Sequence, residues 1–158
     1  MKDSLRTGIS FGLTSAVITT LGLMVGLHSG THSKIVVLAG ILTIAIADAF
    51  SDALGIHVSE EAENKHTIKQ IWAATISTFL AKFLFAMTFV VPVNLFTLST
   101  AIVISLIWGL SILSLLSYFI AKSQSEPPWK IVGEHLMIAI LVIGITHWVG
   151  DWIGKLYA

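Results

Sequence analysis

Apolar residues run through the chain in five near-continuous stretches, approximately 8–28, 35–56, 71–91, 98–121 and 131–154, separated by short polar breaks. Each stretch is close to the ~20 residues a helix needs to cross a bilayer, and none alternates apolar with polar as a barrel strand does. Unbroken apolar runs predict helices, because a helix satisfies its own backbone polar groups inside lipid. The breaks fall at 29–34, 57–70, 92–97 and 122–130; the second is the longest and most charged. Pro92 is expected to end or kink a helix, and Pro127 and Pro128 to fix an extended turn. The pattern predicts an all-α polytopic membrane protein, one domain over 1–158 with five transmembrane helices.

Composition agrees. Of 158 residues, 55% are hydrophobic and 11% charged, and the mean hydropathy is +0.88. A soluble domain of this size has too much surface for its volume to hide that apolar content, so a lipid bilayer is the expected partner. Nine basic residues balance nine acidic ones, which gives no reason to expect nucleic acid. Cysteine is absent, which excludes disulfides and thiolate metal sites. The first apolar run is too long for the core of a signal peptide and is read as the first span.

With five spans, Lys2, Arg6, Lys65, Lys69, Lys122 and Lys130 share one side, against Lys34 and Lys155 on the other. The excess puts the N-terminus in the cytosol and the C-terminus outside. A prokaryotic plasma membrane is expected rather than an organelle. Trp72, Trp129, Trp148 and Trp152 stand near span ends, where aromatic anchors sit.

Span one carries Gly22, Gly26 and Gly30 at four-residue spacing, and Gly8 and Gly12 repeat the pattern near its start. Small residues so spaced let two backbones approach closely in lipid. They serve either packing within the chain or a seam between subunits. The second reading assigns Gly22, Gly26 and Gly30 to dimer packing.

The strongest chemical signal is in span two, Ala47-Asp48-Ala49-Phe50-Ser51-Asp52-Ala53-Leu54-Gly55. Ionisable groups in mid-membrane are costly and mark a function or a pairing. Asp48 and Asp52, four apart, share a helix face, and Ser59 and Glu63 join it if the helix continues. Their oxygens suit hard or borderline cations such as Mg²⁺, Mn²⁺ or Fe²⁺. Lys82, mid-way along span three, lies at the depth of Asp48 in an antiparallel pair. It can serve as a structural partner or in ion–proton exchange, and a cation entering the site could displace it. Glu60 and Glu63, three apart with His57 one turn earlier, could share a metal at a cytosolic entrance, or form a solvated charged face. The candidate metal ligands are thus Asp48, Asp52, Glu60 and Glu63; Asp48, Asp52 and Lys82 are the candidates for proton coupling or ion pairing.

Weaker signals lie elsewhere. Glu134 and His135 open span five, Glu134 as a first-turn acid. His147 and Asp151, with His28 and His32 on the same side, could line an exit or simply be wetted. Thr14, Ser15, Thr19 and Thr20 could bond backbone carbonyls or face a polar path. The chain has no phosphate-binding glycine loop, G-x-S-x-G or H-E-x-x-H, and no enzyme activity is expected.

At these residues the chain resembles the vacuolar iron transporter family. Gly8-Ile9-Ser10-Phe11-Gly12-Leu13-Thr14, followed by Gly22 to Gly30, is similar to its S-D-G-L-T segment and glycine-rich stretch. Leu38-Ala39-Gly40 through Ser51-Asp52-Ala53-Leu54-Gly55 and Val58-Ser59 is similar to its second-span pattern. The last two spans fit its basic, proline-containing connector before a Gly-rich final helix. The resemblance implies a five-helix homodimer exchanging cytosolic Fe²⁺ or Mn²⁺ for protons, with the ion path between subunits and no permanently bound cofactor. This chain departs from the pattern at three places. Phe11 stands at the family's span-one aspartate, Asp52 at its span-two methionine, and the long metal-binding insert shrinks to residues 57–70, where Glu60, Glu61 and Glu63 remain. Losing the thioether favours harder ions such as Mn²⁺. The expected function is export of a divalent metal, Fe²⁺ or Mn²⁺, in exchange for protons. The alternatives are a non-transporting membrane scaffold assembled through the glycine face and an exporter of small organic cations.

Overall fold

The computed structural model describes residues 1–157 as six α-helices: α1 Lys2–Thr31, α2 Lys34–Ala62, α3 Ile68–Thr88, α4 Val90–Leu95, α5 Leu98–Ser123 and α6 Pro128–Tyr157. The stretches Lys2–Thr31, Lys34–Ala62, Ile68–Leu95, Leu98–Ser123 and Pro128–Tyr157 are each long and apolar enough to cross a membrane. This fits an integral membrane protein. Phe50, Leu54, Ile107, Phe119, Leu141 and Trp148 are all more than half exposed, an outer surface suited to lipid.

Local chemistry sets the helix ends. Thr67 and Gln70 close a capping box over the start of α3, backbone and side chain answering each other. Pro128 takes the first position of α6, where a missing N–H costs nothing. α3 stops at Thr88, four residues before Pro92. The proline ring would strike the carbonyl of residue 88 in a continuous helix, so the chain breaks at Phe89 and restarts as α4.

The helices run beyond most of the expected span limits, α4 extends into the expected 92–97 connection, and two boundaries bear on the candidate residues. α2 continues to Ala62, so most of the charged 57–63 segment is helix rather than loop. α6 starts at Pro128, which puts Glu134 in its second turn and not among the first-turn acids.

α1 is the hub and packs on α2, α3, α5 and α6. Its two glycine stripes serve different neighbours. A Cβ at Gly12 would lie 2.6 Å from the carbonyl oxygen of Thr78, so Gly8 and Gly12 admit α3. A Cβ at Gly22 would lie 3.1 Å from Val142 Cγ1, one at Gly26 3.2 Å from the Thr146 carbonyl and one at Gly30 3.1 Å from the Gly150 carbonyl. The Gly22, Gly26 and Gly30 stripe therefore faces α6 of the same chain. The close approach that suggests a dimer seam is met inside one subunit. The two stripes diverge because 3.6 residues per turn carry Gly22 about 80° around the helix from Gly12.

The buried core centres on Ala16, Val17, Leu21 and Met24 of α1, with Val37 and Ile41 of α2, Phe85 and Phe89 at the end of α3, and Leu113 of α5. Paired contacts fix direction. Gly8 meets Ala74 while Gly12 meets Thr78, so α1 and α3 run in parallel. Asp52 meets Lys82 while His57 meets Thr75, so α2 and α3 are antiparallel.

Candidate functional site

Lys82 is the largest fully buried side chain among the described residues, with 1% of its side-chain surface exposed. An ammonium cannot stay in such a place without partners. The antiparallel α2 supplies two of them, because Asp48 and Asp52 stand one turn apart on the face toward α3. Lys82 Nζ lies 2.5 Å from Asp52 Oδ2 and 2.5 Å from Asp48 Oδ2. It donates hydrogen bonds to Asp52 and, at 2.8 Å, to Ser15 Oγ of α1. Toward Asp48 the contact is an ion pair without a directed hydrogen bond. Three helices thus meet at one ammonium.

Asp48 and Lys82 come together as the matched depths predict, and Asp52 shares the same cation. Ser15 stands out from Thr14, Thr19 and Thr20 only because the parallel α1–α3 register sets it opposite Lys82. With all three groups ionised, one ammonium faces two carboxylates and the site carries one surplus negative charge.

The carboxylates are not sealed in. Asp48 keeps 27% and Asp52 19% of their side-chain surface, against 1% for the lysine. Asp48 opens into a groove of about 670 Å³ between α1 and α2, lined also by Thr19, Thr43 and Ser51 and by apolar residues as far as Leu27 and Val36. The groove leads from mid-bundle toward the end that carries His32. The expected stripe therefore has an accessible side at its deepest acid.

Glu60 and Glu63 gather elsewhere. At 1.5 Å per residue Glu60 is about 12 Å along α2 from Asp52. Both glutamates turn toward His66, whose Nε2 is 3.4 Å from Glu60 Oε2 and 3.8 Å from Glu63 Oε2. His66 lies just before α3, and the turn at Asn64, where φ is 52°, brings it back over the end of α2. His57, expected beside these glutamates, instead bonds Thr75 at 2.9 Å and packs edge-on against Trp72. Among the described residues, no group of three or more His, Asp or Glu side chains is disposed to hold a metal ion. Asp48 and Asp52 offer a cation two carboxylates, and further ligands must come from nearby hydroxyls, from water or from a second chain.

No family model, curated protein or solved structure matches the chain.

Proposed function

We propose that the protein exchanges a cation for protons across the membrane, with Asp48, Asp52 and Lys82 as the exchange site. One observation carries this reading. A lysine ammonium sits between two carboxylates at mid-span while one of those carboxylates opens onto a groove. In that position the ammonium acts as a built-in substitute for a transported cation. Ion pairs that serve only to join helices need no such access.

Charge balance suggests the stoichiometry. Exchange of one divalent cation for two protons leaves the net charge of the site unchanged. In the low dielectric of the bundle, departures from neutrality are expensive. Oxygen ligands without a thioether point to a hard or borderline ion, Mn²⁺ or Fe²⁺. The resemblance to the vacuolar iron transporters supports the same substrate class, a homodimer, and export from a cytosol that holds the N-terminus.

The rival reading is a scaffold in which Asp48, Lys82 and Asp52 only pin α2 to α3. The contact of both acids with the same lysine favours it. Ligand-induced thermal stabilisation separates the two readings. Titration with Mg²⁺, Mn²⁺, Fe²⁺, Co²⁺ and Zn²⁺ is expected to raise the melting temperature selectively with Mn²⁺ or Fe²⁺ in the native protein. The Mn²⁺ effect should vanish in the Asp48→Asn, Asp52→Asn double variant. An equal Mn²⁺ shift in both proteins contradicts the exchange site.

A further inference from the structure

The groove beside Asp48 is larger and more apolar than a bare metal ion needs. It holds about 670 Å³ between α1 and α2, and among the described residues Asp48 is the one charged side chain on it. Glycine shapes its floor. A Cβ at Gly40 would lie 2.5 Å from Leu27 Cδ1 and 2.9 Å from Leu23 Cδ2, so the missing side chain lets both leucines of α1 lie against α2. Val36 carries the apolar wall about 18 Å along α2 from Asp48, at 1.5 Å per residue. Ala39, Thr43, Ala47 and Ser51 on the α2 wall are exposed, so the groove opens sideways at the surface of the bundle. Clefts of about 300–1,000 Å³ with apolar walls and a few polar groups are the usual receptors of small organic molecules.

Asp48 serves two sides at once. Its Oδ2 is closed off from solvent and lies 2.5 Å from Lys82 Nζ. The exposed part of the side chain is therefore not Oδ2, and Oδ1 is the carboxylate oxygen left for a ligand. A cation arriving along the groove meets Asp48 without displacing Lys82. With Asp48, Asp52 and Lys82 all ionised, one surplus negative charge remains, and a single monovalent cation cancels it with no proton released. Hydroxyls stand on the same groove. Thr19 Oγ1 donates its proton to the Ser15 carbonyl, so its lone pairs are left to accept from a ligand N–H. Ser51, three residues beyond Asp48, shares its side of α2.

We propose that this groove binds an amphiphilic organic ammonium ion, a primary or secondary amine on an apolar body. Its N–H groups face Asp48 and its body lies along Leu23, Leu27 and Val36. Charge complementarity selects this occupant over a neutral lipid chain, which would leave the acid unanswered. An amine with an apolar body partitions into lipid and enters through the open side. The inference goes beyond the exchange reading: it shares Asp48 with it, but binding needs no transport and no metal.

Calorimetry in detergent tests it. Phenylbutylamine is titrated into the purified protein at neutral pH, where an alkylamine is charged because it titrates near pH ~10. Phenylbutanol, its neutral counterpart, reads apolar filling alone. The native protein is expected to bind the amine saturably, at least about tenfold more tightly than the alcohol. Asp48→Asn should remove that preference. Thr43→Leu with Ala47→Leu fills the groove from two exposed positions, keeps every charge, uses a good helix former, and should abolish amine binding. Thermal stabilisation by Mn²⁺ is recorded on the same preparations. Amine binding without a Mn²⁺ shift keeps this proposal and removes metal exchange; a Mn²⁺ shift without amine binding does the reverse. The proposal is also overturned if amine and alcohol bind alike, if the preference survives Asp48→Asn, or if binding survives the two leucines. A native chain that binds no amine and forms a dimer split by those leucines would make the groove a seam between copies instead.

Discussion

Asp52 Oδ2 lies 2.5 Å from Lys82 Nζ across the antiparallel α2–α3 interface, and that contact ties the fold to the chemistry. It joins helices that a five-residue connection, 63–67, also links. The charges are unequal in burial, the lysine being enclosed and the acid only largely so. Removing the lysine therefore strands two partly exposed carboxylates, one of them on a groove, whereas removing the carboxylates strands an enclosed ammonium.

The first prediction follows from that inequality. Asp48→Asn with Asp52→Asn leaves Lys82 charged and without a counter-ion. It is expected to lower stability by about 3–5 kcal/mol, the usual cost of breaking a buried pair. Lys82→Met alone should cost less, because the exposed portions of both acids draw solvent. The triple variant Asp48→Asn, Asp52→Asn, Lys82→Met should recover most of the loss. Reversible unfolding in mixed micelles measures all three; a triple variant as unstable as the double one contradicts the argument.

The second prediction concerns the glycines. A methyl group at Gly12 meets the backbone of Thr78, and one at Gly150 meets the carbonyl of Gly26, neither of which can yield easily. Gly12→Ala and Gly150→Ala are expected to destabilise by about 1–3 kcal/mol through overpacking. Gly144 has nothing within 4 Å, so Gly144→Ala should be neutral or stabilise by about 0.5 kcal/mol through backbone entropy. Thermal melts of the three variants give the order directly, and equal effects at Gly150 and Gly144 would show that α6 does not press on α1 through Gly150.

These glycines also show how far the sequence can be read. Small residues at four-residue spacing announce a close helix contact, but the spacing is silent on which helix arrives. Gly22, Gly26 and Gly30 suit a second copy as well as they suit α6, because that pattern alone cannot tell a neighbour in the chain from a neighbour in another. The five spans are legible, since about 20 apolar residues in a row have few other uses. The break at Phe89 follows from Pro92, although the restart as α4 depends on packing. The triad is half legible. Asp48 and Lys82 match in depth, and Asp52 follows by helical spacing, but Ser15 needs the α1–α3 register. His66 needs the left-handed turn at Asn64 to bring it back over Glu60. The link from His147 to Ser29 spans 118 positions, and no local pattern encodes it.

The third prediction uses the histidine–hydroxyl pairs between helices. Ser117 Oγ, fully buried on α5, lies 2.7 Å from His135 Nδ1 on α6. Interhelical hydrogen bonds of this kind contribute on average about 0.6 kcal/mol in membrane bundles. Ser117→Ala is expected to destabilise by about that amount, and Ser117→Ala in a His135→Ala background by less. A double-mutant cycle measures the coupling; a coupling of zero would show that this pair does not help to hold α6.

The fourth prediction isolates Ser15. It accepts a hydrogen bond from the Lys82 ammonium, and bonds to charged groups are stronger than neutral ones. Ser15→Ala is expected to cost about 1.5–3 kcal/mol. Ser15→Thr keeps the acceptor and should cost less, even with an extra methyl group. Melting in detergent ranks the two, and a Ser15→Thr variant weaker than Ser15→Ala would show that space, not the hydroxyl, decides at this position.

The most direct test of the exchange site is flux. The protein is reconstituted in liposomes carrying a pH-sensitive dye, and Mn²⁺ or Fe²⁺ is added outside. Metal uptake with opposite proton movement is expected for the native chain, at about two protons per divalent ion if the exchange is electroneutral. It should be abolished by Asp48→Asn with Asp52→Asn, while Glu60→Gln with Glu63→Gln slows entry without uncoupling it. Undiminished metal-for-proton exchange in the double aspartate variant would contradict an exchange role for Asp48 and Asp52.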